Sequence, residues 1–225
     1  MGLIESGMSN VETAEFMRNT YYTSNEKTAL AITIANRERA LLADIDYKNG
    51  YSLYVGIPFC PSICLYCSFS SYPLAKWRNK VDAYLDALCK ELTYIGETMK
   101  VRTLDTIYIG GGTPTTLEPE QLERLLSHIE CCFPTREVKE YTIEAGRPDS
   151  ITREKLEVIR KYPVTRISVN PQTMNQATLD LIGRRHTVED TRHAFALARE
   201  CGFDNINMDL IVVCRVSAPK MYKKH

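Results

Sequence analysis

From Tyr51 to Val212 the sequence alternates between short runs rich in Ile, Val, Tyr and Thr and longer stretches of helical period. The candidate strands are Ser52–Val55, Thr106–Ile109, Tyr141–Glu144, Arg166–Asn170 and Asn205–Val212. The candidate helices are Lys80–Thr98, Glu118–Cys132, Thr152–Lys161, Asn175–Ile182 and Val188–Cys201. Strand and helix taking turns predicts an α/β fold of parallel strands joined by crossover helices. Five such units make part of a (β/α) barrel rather than a finished one. Polar or glycine-rich residues follow the C-terminal ends of several strands, where parallel sheets hold their ligands.

The flanks follow other rules. Residues 1–48 are polar and helical in pattern, and read as an N-terminal helical segment without chemistry of its own. Within it, Ser24 to Asp44 forms an amphipathic helix capped by Ser24, with Ala31, Ile34, Ala35, Leu41 and Leu42 as its apolar stripe. Lys48-Asn49-Gly50 is a turn signal, so the core is expected over 49–212. Residues 213–225 have neither a helical period nor a cap. Codons compatible with that stretch, read one base earlier, encode a glycine-proline turn and an amphipathic helix, the element a βα repeat needs next. The expectation is an aberrant, frameshifted tail over 213–225, with a genuine short terminus as the plainer alternative.

Charge and cysteine content narrow the function. Lys plus Arg and Asp plus Glu both number 28, so the zero net charge offers no electrostatic case for nucleic acid or an anionic membrane. No stretch approaches the roughly 20 apolar residues of a membrane span, and Met1–Thr20 contains no apolar run of signal-peptide length. The expected location is cytoplasmic. Eight cysteines in a reducing compartment read as metal ligands, nucleophiles or core residues rather than disulfides.

Three of the eight are clustered. Cys60, Cys64 and Cys67 lie in Cys60-Pro61-Ser62-Ile63-Cys64-Leu65-Tyr66-Cys67, directly after a strand. Thiolates spaced this way in a loop can converge on the irons of a cluster. A structural zinc site would ask for four ligands, and neither a second cysteine pair nor a nearby histidine follows. Cys89, Cys131, Cys132 and Cys201 sit in helical patterns and are expected to be small buried hydrophobes; Cys214 falls in the tail. Gly110-Gly111-Gly112-Thr113-Pro114 follows the strand Thr106–Ile109. Alone, such a run is more often a turn, but it can let backbone approach a ligand and present N–H groups. Glu144 closes an apolar run, where a carboxylate can accept from ribose hydroxyls or an ammonium group or simply cap a helix. Gln172, Arg184 and Asp209 recur after or within successive strands, as a site at a barrel mouth requires.

The C-x₃-C-x₂-C spacing, with the aromatic Tyr66 before the last cysteine, resembles the signature of the radical S-adenosylmethionine superfamily. Within that superfamily, residues 50–212 are similar to the oxygen-independent coproporphyrinogen III oxidase (coproporphyrinogen dehydrogenase) group and its HemZ-like members. The matching segments are Tyr54 to Cys60, Gly110 to Pro114, Thr142 to Ala145, Arg166 to Ser168 with Gln172, Gly183-Arg184, and Asp204 to Leu210. The resemblance implies a [4Fe–4S] cluster held by Cys60, Cys64 and Cys67, with one iron left open. It further implies that S-adenosylmethionine is bound by Tyr54, Tyr66, Gly111, Gly112, Thr113, Glu144, Gln172, Arg184 and Asp209. The implied reaction generates a 5′-deoxyadenosyl radical, which starts the anaerobic oxidative decarboxylation of coproporphyrinogen III in haem biosynthesis. Its partners would be a tetrapyrrole substrate and a reduced flavodoxin- or ferredoxin-type electron donor.

Two features depart from that pattern. Oxidases of this group carry a further cysteine two positions after the third ligand, where this chain has Phe69. Relatives that traffic haem share the Phe69 pattern, which makes a haem chaperone the rival reading. The group's next βα unit and C-terminal domain have no counterpart here, so an inactive fragment with an unpaired last strand is a third reading.

Overall fold

A computed structural model describes residues 1–46 and 48–212. The chain divides into two compact units, Met1–Tyr51 and Ser52–His225. The expected aberrant tail, with Cys214, lies outside the described residues.

The first unit is helical: α1 (Gly2–Glu5), α2 (Asn10–Tyr21) and α3 (Asn25–Leu42). Ser9 and Glu12 form a reciprocal capping box at the start of α2, and the Ser24 hydroxyl accepts from the Lys27 N–H at the start of α3. The expected stripe on α3 is corrected. Thr28 and Ala35, seven residues apart, are its buried positions, whereas Ile34 and Leu41 are exposed. At 100° per residue, Ile34 and Leu41 share a face with each other but not with Ala35.

The second unit carries the alternation. Its strands are β1 (Tyr51–Ile57, which begins at the junction), β2 (Phe59–Cys60), β3 (Tyr72–Pro73), β4 (Leu104–Gly111), β5 (Glu140–Glu144), β6 (Arg166–Ser168) and β7 (Ile206–Asn207). Its helices are α4 (Leu74–Trp77), α5 (Val81–Met99), α6 (Pro119–Cys132), α7 (Arg153–Arg160), α8 (Gln176–Leu181) and α9 (Val188–Glu200). The main sheet has the order β1-β4-β5-β6-β7, with β4–β5, β5–β6 and β6–β7 paired in parallel. This is an α/β fold, the partial (β/α) barrel expected. Ile107, Ile109, Tyr141, Ile143 and Ile167, which share one face of the sheet by their register, are almost fully buried, while Tyr108, Thr142, Glu144 and Ser168 make up the opposite, more polar face. Helix α5 turns Val81, Leu85, Leu88, Cys89 and Leu92 inward, and α6 turns in Leu122, Leu125, Leu126 and Ile129. Each such side chain contributes about 1.5–3 kcal/mol by leaving water.

Two expectations are corrected here. The strand expected over Asn205–Val212 stops at Asn207, and beyond it only a bridge joins Gln172 to Leu210. The Asp209 N–H donates to Asn170 Oδ1 at 3.2 Å, so a side chain takes the donor that a continuous ladder would give to backbone. Of the four helix-region cysteines expected to be buried, only Cys89 is; Cys131 is exposed and Cys132 and Cys201 are half-buried. Cys131 lies outside the inward stripe of α6, and Cys201 is the residue that ends α9.

A candidate cluster and cofactor site

The cysteine loop is pinned at both ends. Strand β2, which ends on Cys60, pairs in parallel with β3 beyond the loop, and the Tyr72 N–H donates to Pro58 O at 2.7 Å. Midway, the Leu65 N–H donates to Ile182 O at 3.0 Å and the Ser62 hydroxyl to Gly183 O at 3.2 Å. Cys60 and Cys64 are buried and Cys67 half-buried, and all three line one cavity of about 150 Å³. Burial pushes the Cys60 thiol up, while hydrogen bonds from Thr113 and Ser71 and the Arg147 charge pull it down.

Strand β4 delivers the glycine run to this loop. The Gly112 N–H donates to Ile57 O at 2.7 Å and the Thr113 N–H to Phe59 O at 2.8 Å. The expectation that the run presents its N–H groups to a ligand is therefore corrected at these two residues, because neighbouring strands already hold them. What the glycines provide is close approach. A Cβ on Gly112 would lie 2.7 Å from Phe59 O and 3.0 Å from Cys60 Sγ, and Gly111 turns the chain at φ +103°. Thr113 Oγ1 then lies 3.5 Å from Cys60 Sγ.

Glu144 ends β5 on the same cavity wall as Gly111, Gly112 and Thr113. Burial raises its carboxyl, the Tyr108 hydrogen bond lowers it, and Asp209 adds to the rise. The Tyr108 hydroxyl donates to Glu144 Oε1. Tyr54 is not brought to the cavity: it is 59% exposed and its ring stacks on Tyr108 with centroids 5.8 Å apart.

Tyr66, Gln172, Arg184 and Asp209 do line the cavity. Arg184 donates from Nη1 to Asn170 O at 3.1 Å and Gly146 O at 3.3 Å, and from Nη2 and Nε to the Tyr66 hydroxyl. It thereby fastens the cysteine loop to the ends of β5 and β6. Gln172 holds a left-handed backbone at φ +65° without being glycine, a strain that persists where surrounding structure imposes it. Its N–H donates to Asp209 O at 3.0 Å, and its carbonyl accepts from Ile211.

The sequence reading passed over Tyr108, Arg147 and Asn170. Tyr108 sits inside a strand and reads as β-propensity alone. Asn170 precedes a proline at a strand end. Arg147 was legible in principle, as a cation in Gly146-Arg147-Pro148 just beyond a strand that already ended on a candidate site residue. It is 3% exposed and shares the cavity.

Among the described residues, no three His, Cys, Asp or Glu side chains gather tightly enough to share one metal ion. A four-iron cluster asks for something wider, with each thiolate on its own iron. Three soft sulfur donors around one cavity, with polar groups at its wall, suit that demand better than they suit zinc.

Comparison with known proteins decides the family. The radical SAM superfamily profile matches residues 54–217. This chain belongs to the radical SAM superfamily. That superfamily uses a [4Fe–4S] cluster and S-adenosylmethionine. Among curated proteins, the chain is similar to the oxygen-independent coproporphyrinogen-III oxidase-like protein HemZ of Bacillus subtilis, 42% identical over 213 residues. That match covers 93% of this chain and 42% of HemZ. The haem chaperone HemW of Bacillus subtilis is 40% identical over 161 residues, covering 71% of this chain and 42% of HemW. Among solved structures, Escherichia coli coproporphyrinogen III oxidase (HemN), a radical SAM enzyme, matches with a TM-score of 0.69 and 30% identity, covering 83% of this chain and 43% of that one. The chain thus spans less than half the length of these relatives. No helix among the described residues of this radical SAM chain is long and apolar enough to cross a membrane.

Proposed function

We propose that Cys60, Cys64 and Cys67 hold the cluster and that Glu144, Gln172, Arg184 and Asp209, with Gly111–Thr113 and Tyr66, form the wall of the S-adenosylmethionine site. The observation that carries this reading is the convergence of the three thiols and these residues on one cavity at the C-terminal ends of β4, β5 and β6. When bound, cluster and S-adenosylmethionine together supply the radical that starts the reaction. The chain's own residues position, charge and enclose. Glu144 and Asp209 are placed to accept hydrogen bonds from cationic or hydroxyl groups, Arg184 braces the loop, and the glycines bring β4 against Cys60. Tyr54 acts from behind, through Tyr108 on Glu144. We propose residues 49–212 as the radical SAM core and 1–48 as a helical appendage.

The substrate reading is oxidative decarboxylation of coproporphyrinogen III, supported by the likeness to HemZ and HemN. It would require a reduced flavodoxin- or ferredoxin-type electron donor. A second reading, haem binding without decarboxylation, is favoured by Phe69 in place of the further cysteine and by the likeness to HemW. The test begins with anaerobic reconstitution with iron and sulfide, followed by absorption and electron paramagnetic resonance spectra. Cluster signals lost in Cys60→Ala, Cys64→Ala and Cys67→Ala support the ligand set, and their retention in all three refutes it. Turnover of coproporphyrinogen III against titration with haem then separates the two readings.

A further inference from the structure

Arg147 carries a buried positive charge beside a cysteine. Its side chain is 4% exposed and pairs through Nε and Nη2 with Asp149 Oδ1 and Oδ2, at 2.9 and 2.8 Å. That bidentate grip fixes the plane of the guanidinium. It turns Nη1 toward the cysteine loop, where it donates to Ser62 Oγ at 3.1 Å, Ser62 O at 3.4 Å and Cys64 Sγ at 3.6 Å. The guanidinium is charged at every accessible pH. A charge held this way in a water-poor site acts strongly on its neighbours.

We infer that Arg147 is a positioning residue that raises the reduction potential of the cluster by donating to the Cys64 sulfur, with Asp149 holding it in place. The inference rests on Cys64 being a cluster ligand. Hydrogen bonds to cluster sulfurs and net charge nearby are among the quantities that set such potentials. Reduction adds one negative charge to the cluster, so a fixed cation next to it favours the reduced form. The guanidinium is committed to Asp149 along one edge and to Ser62 and Cys64 along another, which directs its effect to the sulfur. Asp149 tempers that effect, being a counter-charge that is itself partly buried.

The test is a reductive titration of the reconstituted chain with dithionite, followed by electron paramagnetic resonance. In Arg147→Met the reduction equilibrium shifts about tenfold toward the oxidised form, which for a one-electron couple is a fall of about 59 mV. Arg147→Lys keeps the charge and recovers part of the shift. Ser62→Ala removes one acceptor of Nη1 without altering charge and moves the midpoint by much less than Arg147→Met does. Asp149→Asn keeps the cation and removes its counter-charge, so the midpoint rises, and it serves where Arg147→Met holds too little cluster to titrate. A bound cluster whose midpoint moves in neither Arg147→Met nor Asp149→Asn overturns the inference and leaves the ligand reading standing. A Ser62→Ala shift equal to that of Arg147→Met also overturns it, by making loop disturbance the cause. Failure of the ligand reading is distinct: Cys64→Ala retains a full cluster, and the inference falls with it.

Discussion

Arg184 donates two hydrogen bonds to the hydroxyl of Tyr66, from Nη2 at 2.8 Å and from Nε at 3.2 Å, and so joins the cysteine loop to the segment after α8. Burial pushes that hydroxyl up to about 12 against the pull of the Arg184 charge, so it stays protonated and the joint is indifferent to pH around neutrality. Tyr66→Phe leaves two donors of Arg184, itself only 7% exposed, facing a ring edge. Losing the acceptor costs about 1–3 kcal/mol. Chemical denaturation reads this as a lower midpoint, and a cycle with Arg184→Met gives a coupling above about 0.5 kcal/mol. Additive losses would mean that the two residues act independently.

Gly112 and Gly146 both line the cavity but differ in what surrounds them. A Cβ at Gly112 would meet Phe59 O at 2.7 Å, whereas at Gly146 the nearest atom is Asn170 Nδ2 at 3.5 Å. Gly112→Ala must displace backbone, costing about 1–3 kcal/mol, and it moves Cys60 with it. The expected outcome is a lower melting temperature together with reduced cluster content after reconstitution. Gly146→Ala is expected within about 0.5 kcal/mol of wild type. Equal tolerance at both positions would contradict the packing of β4 on β2.

The alternation of β and helical periods was enough to place β1, β4, β5 and β6, and the helices α5 to α9 each to within one residue at either end, because an apolar sheet face and amphipathic helices write their periods directly into sequence. The cysteine loop was legible for a different reason: thiol spacing is chemistry, independent of the surrounding packing. What escaped were residues whose roles depend on distant partners. Arg147 finds Ser62 and Cys64 far back along the chain, and its local context, a cation just beyond β5, marks it as a candidate without naming those partners. Tyr54 shows the same dependence: its ring stacks on Tyr108, a partner that lies 54 residues further along the chain. The α3 stripe failed because two apolar faces compete on that helix, and only packing chooses between them.

Tyr108 holds the charge state of Glu144. Burial favours the protonated acid, and the Tyr108 hydroxyl, donating to the ionised form, opposes it. Tyr108→Phe removes the opposing influence, so Glu144 takes up a proton at higher pH than in the wild type. Less carboxylate is then available at a given acidic pH to accept from a cationic ligand. Calorimetric titration of the reconstituted chain with S-adenosylmethionine at a series of pH values is expected to show binding that weakens at a higher pH, on descending from neutrality, than in wild type. An unchanged pH profile would detach Tyr108 from the charge on Glu144.

His186 is 1% exposed, and neither ring nitrogen has a hydrogen-bond partner among the described residues. Burial lowers it to about 4, helped by the charges of Arg184 and Arg147 and opposed by Asp149 and Asp190. An unfolded histidine titrates near 6.5. Between those values the unfolded chain holds a proton that the folded chain refuses, so unfolding becomes easier as pH falls. The full stability is present above about 6.5 and declines as pH drops toward about 4, by at most about 3 kcal/mol from this residue. Asp149 lies below its usual range and adds its own loss only beneath that window, while Glu144, raised by burial, acts in the opposite sense. His186→Leu removes the proton acceptor and the unpaired nitrogens together. Denaturation midpoints at pH 7.5 are expected to match or exceed wild type, and the decline between pH 6.5 and 4.5 is expected to flatten. A decline as steep as that of the parent chain would place the acid sensitivity elsewhere, in the carboxylates rather than in this buried imidazole.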